Sequence, residues 1–380
     1  MSEKYNLVAP TLFGIESVAA DEFRHMGFEE VEAQNGRVLL SGGSEMIARA
    51  NICSRFAERI LINVGQFRAV TFTELFDGVK KLEWERYIGK DNTFPVTGSS
   101  INSALFSIPD CQSIIKKAIV DRLSGKYGVK WFSETGAECK VKFTILKDEV
   151  TLMIDTSGEG LHKRGYRRKS NDAPLKETLA AAMCDLARIY PDTHIYDPFC
   201  GSGTILIEAA LMATHRAPGL NRYFAAERFG FLDKTVWREE RTRAQDNILH
   251  NIDFRACGFD IDPASVELTL QNAKKAGVEK YVKASIGDIK DFKTPDERLL
   301  LITNPPYGER LLDVKAAEEL YKVMGARFDM KPGKKYFVIS PHDEFEKLFG
   351  KTADKRRKLY NGMIKCQLFM YFKNGQVKKD

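Results

Sequence analysis

The chain predicts an α/β protein in which an α+β, ferredoxin-like half precedes a mostly parallel, Rossmann-like sheet with an antiparallel last strand. Three observations carry this. The short apolar run His194-Ile195-Tyr196 passes into Asp197-Pro198-Phe199-Cys200-Gly201-Ser202-Gly203-Thr204 and then into Ile205-Leu206-Ile207-Glu208-Ala209-Ala210-Leu211-Met212. Strand, glycine-rich turn and buried helix in that order open a doubly wound sheet. Leu299-Leu300-Leu301-Ile302-Thr303 is apolar without alternation, the mark of a parallel strand covered on both faces. Finally, the first 64 residues follow a split β-α-β-β-α-β order.

In chain order, residues 5–9 read as a strand and 14–27 as a helix, with Ile15, Val18, Ala19, Phe23 and Met26 at helical spacing. Residues 28–33 and 37–40 form a hairpin around Asn35-Gly36, a strong turn signal. A helix at 45–53 and a strand at 58–64 complete this piece. A helix at 72–82, a strand at 93–98, a helix at 111–126 and a hairpin at 140–146 and 149–155, turning at Lys147-Asp148, follow. The expected domains are 1–64, 65–156, a linker at 157–172, and 173–380.

The linker holds Lys163, Arg164, Tyr166, Arg167, Arg168 and Lys169, five cations and an aromatic ring in one short stretch. Two readings stand: a phosphate-binding strip with an interleaved ring, or a solvated connection. Lys355-Arg356-Arg357-Lys358 reads as a solvated face. Beyond the first strand of the sheet, residues 216–255 (Arg222, Tyr223, Phe224, Arg228, Phe229, Phe231 and Trp237 among them) read as a helical insertion lining the path by which a base reaches the site. Strands follow at 256–260 and 281–286, separated by a helix at 264–276 that opens with Pro263. Residues 335–340 and 364–372 give the antiparallel pair.

Chemistry gathers at the strand ends. The glycine turn departs from the dinucleotide fingerprint, because its third glycine position holds Leu206. It opens with Asp197, which repels a pyrophosphate but suits the ammonium and sulfonium of S-adenosylmethionine. Asp260 closes the second strand, where a ribose diol is gripped, and Asp288 follows the third, where a carboxylate can accept adenine amino hydrogens. The fourth end carries Asn304-Pro305-Pro306-Tyr307. An exocyclic amine is a poor nucleophile because its lone pair is delocalised into the ring. The Asn304 side-chain oxygen and the Pro305 carbonyl can each accept one of its hydrogens. The prolines Pro305 and Pro306 pre-aim both acceptors, and Tyr307 offers a face for an extruded base. Cys200 reads as a small buried turn residue rather than a nucleophile.

These two motifs, with Gly308-Glu309-Arg310 after the second, resemble the class I S-adenosylmethionine-dependent RNA methyltransferases that carry a THUMP domain, in particular the bacterial large-subunit (23S) rRNA guanine-N2 methyltransferases. Gly165-Tyr166-Arg167-Arg168 and residues 173–180 are similar to that family's linker and the helix after it. The resemblance implies that residues 65 to 155 are the THUMP module and that structured RNA is the partner. It implies methionine contacts from Asp197, Phe199, Gly201, Ser202, Gly203 and Thr204, ribose and adenine contacts from Asp260 and Asp288, and further cofactor contacts from Ala173, Leu175, Ile261 and Ile289. Asn304 would meet both cofactor and target amine, and S-adenosylhomocysteine would leave. Some relatives fuse a second methyltransferase domain, for which this chain has no room. A tRNA guanine-N2 enzyme, an adenine-N6 enzyme sharing the tetrad, and a non-catalytic ribosome-assembly factor are the alternatives. The intact acids argue against the last.

Composition sets bounds on the rest. The 380 residues carry a net charge of +6, mildly basic and compatible with nucleic acid. No apolar run approaches the length of a membrane span, and the first residues lack the apolar stretch of a signal peptide. Seven cysteines without a C-x-x-C pair suit a reducing, cytoplasmic setting, and six scattered histidines have no metal-ligand spacing.

Overall fold

The computed structural model describes residues 3–167, 175–295, 298–307 and 314–373. These fall into two compact units: 1–11, 20–161 and 222–243 form the first, and 12–19, 162–221 and 244–380 the second.

The first unit is built on one seven-stranded sheet. Its strands are β1 (Tyr5–Pro10), β2 (Val31–Gln34), β3 (Arg37–Gly42), β4 (Leu61–Arg68), β5 (Val96–Ile101), β6 (Val141–Leu146) and β7 (Glu149–Asp155), in the order β2-β3-β1-β4-β7-β6-β5. Helices α1 (Glu16–His25, assigned to this unit from Ala20 on), α2 (Ser44–Cys53), α3 (Phe72–Lys81) and α4 (Ile108–Tyr127) connect them. Strand β4 pairs with β1 on one side and β7 on the other, so the ferredoxin-like pattern and the segment after it share backbone hydrogen bonds. Local chemistry sets several ends. Thr71 and Glu74 form a reciprocal capping box on α3. Lys147 and Asp148, both at positive φ (52° and 66°), make the tight β6–β7 turn.

Of the stretch 216–255 read as an insertion, residues 222–243 belong to this unit. Arg222 is buried and donates to the carbonyls of Glu159, Gly160 and Leu161, while Glu240 accepts a bidentate pair from Arg49 (2.6 and 2.9 Å). Phe224 stacks on buried Trp237. The aromatics of this stretch form a small core rather than a row of exposed rings; Tyr223 is the exception, 88% exposed.

In the second unit, α5 (Glu177–Ala187), β8 (His194–Asp197), α6 (Thr204–Ala213), α7 (Thr235–Asp246, mostly in the first unit), β9 (Arg255–Asp260), α8 (Pro263–Ala276), β10 (Val282–Ile286) and β11 (Leu299–Thr303) are followed by α9 (Val314–Arg327), β12 (Lys334–Ser340), α10 (Phe345–Phe349), β13 (Lys355–Asn361) and β14 (Ile364–Tyr371). The sheet order is β10-β9-β8-β11-β12-β14-β13. The first five strands are parallel, and β14 runs antiparallel between β12 and β13. Beside β11 and β12 the core is aromatic: Tyr321, Phe328, Tyr336, Phe345, Phe349 and Phe369 pack in stacked and edge-on pairs. No helix among the described residues is long and apolar enough to cross a membrane.

Helix α6 is buried on nearly every side, and at its centre lies Glu208, fully inaccessible. Arg164 lies 3.4 Å from its carboxylate, and the Tyr166 hydroxyl donates to it at 3.0 Å. Both linker residues are buried (5% and 3% exposed), so they are removed from the proposed phosphate-binding strip. A cation in the low-dielectric interior needs its counter-charge, and this pair ties the start of the second unit to its central helix. Glu208→Ala removes the carboxylate that faces the buried Arg164 and is expected to cost about 3–5 kcal/mol, seen as a lower denaturant midpoint. Adding Arg164→Met should recover most of that loss; an unshifted midpoint in Glu208→Ala would refute the assignment.

Candidate active site

Neighbouring parallel strands β8 and β11 are far apart in sequence, and their carboxyl ends open the crevice where α/β sheets take ligands. Asp197 closes β8 and Thr303 closes β11. The Thr303 hydroxyl donates to Asp197 Oδ1 at 2.6 Å, and the Phe199 amide donates to the same oxygen at 3.1 Å. Asp197 is 1% exposed. Burial, opposed by those two donors and reinforced by the charge of Asp260, pushes its carboxyl up to about 7.

The glycine turn is laced from both sides. Asp260, at the end of β9, accepts the Gly201 amide at 2.9 Å and the Asp262 amide at 3.0 Å. From α8, Thr269 donates to the Gly201 carbonyl (2.8 Å) and Asn272 to the Ser202 carbonyl (3.0 Å). Gly203 sits at φ +79°, and a Cβ there would lie 2.7 Å from Thr269; one on Gly258 would lie 2.5 Å from Leu206 and 2.9 Å from the Cys200 sulfur. Packing therefore demands glycine at both. Ser202 and Thr204 are buried, Phe199 half-buried. Cys200 is buried and its thiol pushed far up by desolvation, which leaves it inert as a nucleophile.

The remaining predicted residues separate. Gly287 donates to the Asp260 carbonyl, bringing the end of β10 alongside, and Asp288 accepts the Lys290 amide at 2.9 Å with Ile289 buried beneath. Ile261 and Ile286 present apolar side chains to solvent, 68% and 63% exposed. Leu175 is buried, and its carbonyl accepts from Arg167 at 3.1 Å. Arg167 also reaches the Thr204 hydroxyl (3.1 Å) and pairs with Glu177 (2.8 Å), so it braces the glycine turn. Lys163 is exposed. Ala173, Arg168 and Lys169 lie outside the described residues.

At the tetrad, Pro305 is buried and Pro306 half-buried. The Asn304 side-chain oxygen is buried and accepts no hydrogen bond from the described residues. The Tyr307 hydroxyl accepts from the Asn361 side chain at 2.5 Å. The sequence reading missed Thr269, Asn272, Thr303 and Asn361, all of which act on site residues through hydrogen bonds. Buried polar residues one turn apart on α8 were the available signal for the first two. Among the described residues no cluster of His, Cys, Asp or Glu is placed to hold a metal ion.

Together these features form a crevice with a buried carboxylate, a laced glycine turn, exposed apolar side chains and an unpaired amide acceptor. It can take a ligand combining a cation with a flat ring, and offer an acceptor to an N–H group.

Comparison with known proteins agrees with this architecture. An RMKL-like methyltransferase domain matches residues 164–369, an RlmL ferredoxin-like domain 6–61, and a THUMP domain 69–155. The chain is 42% identical over 373 residues to "Putative RNA methyltransferase YpsC" of Bacillus subtilis (strain 168), covering 97% of this chain and 96% of that one. It is 33% identical over 370 residues to ribosomal RNA large subunit methyltransferase K/L of Psychromonas ingrahamii, covering 95% of this chain but 49% of that longer protein. The solved structure of "SMU.472, a putative methyltransferase complexed with SAH" superposes with a TM-score of 0.93 at 42% identity, covering both chains fully. The chain belongs to the RMKL-like methyltransferase family, and in it this domain follows a ferredoxin-like and a THUMP domain.

Proposed function

We propose that this chain transfers a methyl group from S-adenosylmethionine to the exocyclic N2 amine of a guanine in structured RNA, with 23S ribosomal RNA in the cytoplasm as its substrate. The observation that carries the reading is the Asn304 oxygen, a buried acceptor without a donor among the described residues. Leaving such an atom unpaired costs about 1–3 kcal/mol, which an incoming N–H repays. The cofactor is S-adenosylmethionine, and the residues fit it. Asp197 supplies a counter-charge, Asp260 and Asp288 supply acceptors, and Ile261 and Ile286 supply apolar surface for a flat ring. When bound, the cofactor supplies an electrophilic methyl on a sulfonium. Asn304 and the Pro305 carbonyl hold the amine by its hydrogens and direct its lone pair away from the ring. With the cofactor bound, attack by the amine held at Asn304 and Pro305 would transfer the methyl group as its bond to sulfur broke, with S-adenosylhomocysteine as the leaving group and water as the acceptor of the amine proton. Orientation supplies most of the acceleration.

The THUMP match and the named relatives support RNA as substrate. The tetrad serves adenine-N6 equally well, so the base is assigned through the likeness to the guanine-N2 enzymes. Transfer of tritium from labelled cofactor into total RNA, followed by nucleoside digestion, decides it. N2-methylguanosine in the large-subunit fraction is expected; N6-methyladenosine or label confined to tRNA would overturn the assignment.

Asn304→Ala keeps both prolines but removes the acceptor. Turnover is expected to fall about a hundredfold while cofactor affinity, read by calorimetry, changes little. Wild-type turnover in this variant would sink the mechanism.

The raised pKa of Asp197 gives a second expectation. An acid held near 7 carries its proton in the free protein below that pH, and a cationic ligand binds best to the ionised form. Cofactor affinity should therefore rise from about pH 6 to about pH 8 and level off above, with protons released on binding at the lower pH. Asp197→Asn should bind more weakly and lose the pH dependence. Affinity that is flat with pH in the wild-type chain would contradict this account.

A further inference from the structure

The tetrad's last residue is held by a strand at the far edge of the sheet. Asn361 closes β13, the edge strand, and pairs with Ile364 across a two-residue turn, Gly362-Met363. Its side-chain amide donates to the Tyr307 hydroxyl at 2.5 Å. In the sheet order β12 and β14 lie between β11, which leads into Tyr307, and β13, so the bond joins elements that are not neighbours in the sheet.

The position of Asn361 is itself well fixed. Seven register pairs lock β13 to β14. On the outer side, Arg357 donates to the Gly14 carbonyl at 2.9 Å and to the Ser17 hydroxyl at 3.0 Å. Gly14 approaches so closely that a Cβ there would lie 2.3 Å from the Lys358 carbonyl oxygen. Phe13 meets Tyr360, the neighbour of Asn361, edge-on at 5.9 Å. An edge strand clamped from both sides can act as a fixed anchor.

A half-buried tyrosine on a loop has rotamer freedom that a stacking base must remove on binding. A hydrogen bond at the far end of the ring removes it beforehand and fixes the ring plane. We infer that Asn361 is a positioning residue: through the Tyr307 hydroxyl it sets the ring as a ready-made surface for the extruded base. The inference rests on the reading of Asn304 to Tyr307 as the base site.

The test uses the full chain, tritiated S-adenosylmethionine and total RNA from a strain lacking this protein, with cofactor affinity as the control for folding. Asn361→Ala and Tyr307→Phe should each lower RNA methylation efficiency about tenfold, the worth of one oriented hydrogen bond, and leave cofactor affinity unchanged. The double variant should be no worse than either single one. Asn361→Asp, whose carboxylate can accept a hydrogen bond donated by the tyrosine hydroxyl, should restore most of the activity; a merely structural role would give no such rescue. If Asn361→Ala and Tyr307→Phe both work at the wild-type rate while Tyr307→Ala is impaired, the positioning role is overturned and the base site stands. If Tyr307→Ala also works at the wild-type rate, both fall together.

Discussion

The hydrogen bond from Thr303 to Asp197 is the constraint on which the second unit's chemistry depends. It crosses the point where the strand order reverses, joining the strand that begins the glycine turn to the strand that delivers the tetrad. Because Asp197 is buried, few groups are available to satisfy it, and the bond to Thr303 keeps the two strand ends at fixed separation. Methyl transfer by displacement tolerates little misalignment between donor and acceptor. A single short contact between the two halves of the crevice is an economical way to meet that demand.

Around this contact, secondary bonds converge on backbone rather than on ligand. Thr269, Asn272, Asp260 and Arg167 all serve the turn at Gly201–Thr204, directly or through its flanks. A glycine-rich turn gains close approach at the cost of conformational freedom. The four side chains return that order, so the turn is shaped before anything binds to it.

Much of the architecture was legible in the residues. Unbroken apolar runs such as 299–303 announce buried parallel strands, and the hairpin at Lys147-Asp148 is where the two alternating segments require it. The gathering of Asp197, Asp260, Asp288 and Asn304 at strand ends was legible because carboxylates and an amide recur at successive ends. What stayed hidden depends on distant partners. A cation reads alike whether it meets a phosphate or a buried acid, and Arg164 meets Glu208, 44 positions away. Asn361 looks like the first residue of an ordinary turn, and only the sheet order brings it to Tyr307. Residues 222–243 carry rings and cations suited to nucleic acid, yet most of those rings are spent on packing within the first unit.

That last arrangement bears on how the chain is made. Domains emerging from a ribosome generally fold in order, the amino-terminal one first. Here the first unit lacks Arg222, which grips the carbonyls at 159–161, and Glu240, which neutralises Arg49, until the chain has been extended beyond β8 and α6. Conversely, residues 12–19 are made almost at once but belong to a unit whose last strand is β14. The two units are interlaced in time, each waiting on a segment of the other's stretch of sequence. A nascent chain halted near residue 160 therefore holds an unfinished first unit, and cutting the gene between the units cannot yield two complete halves.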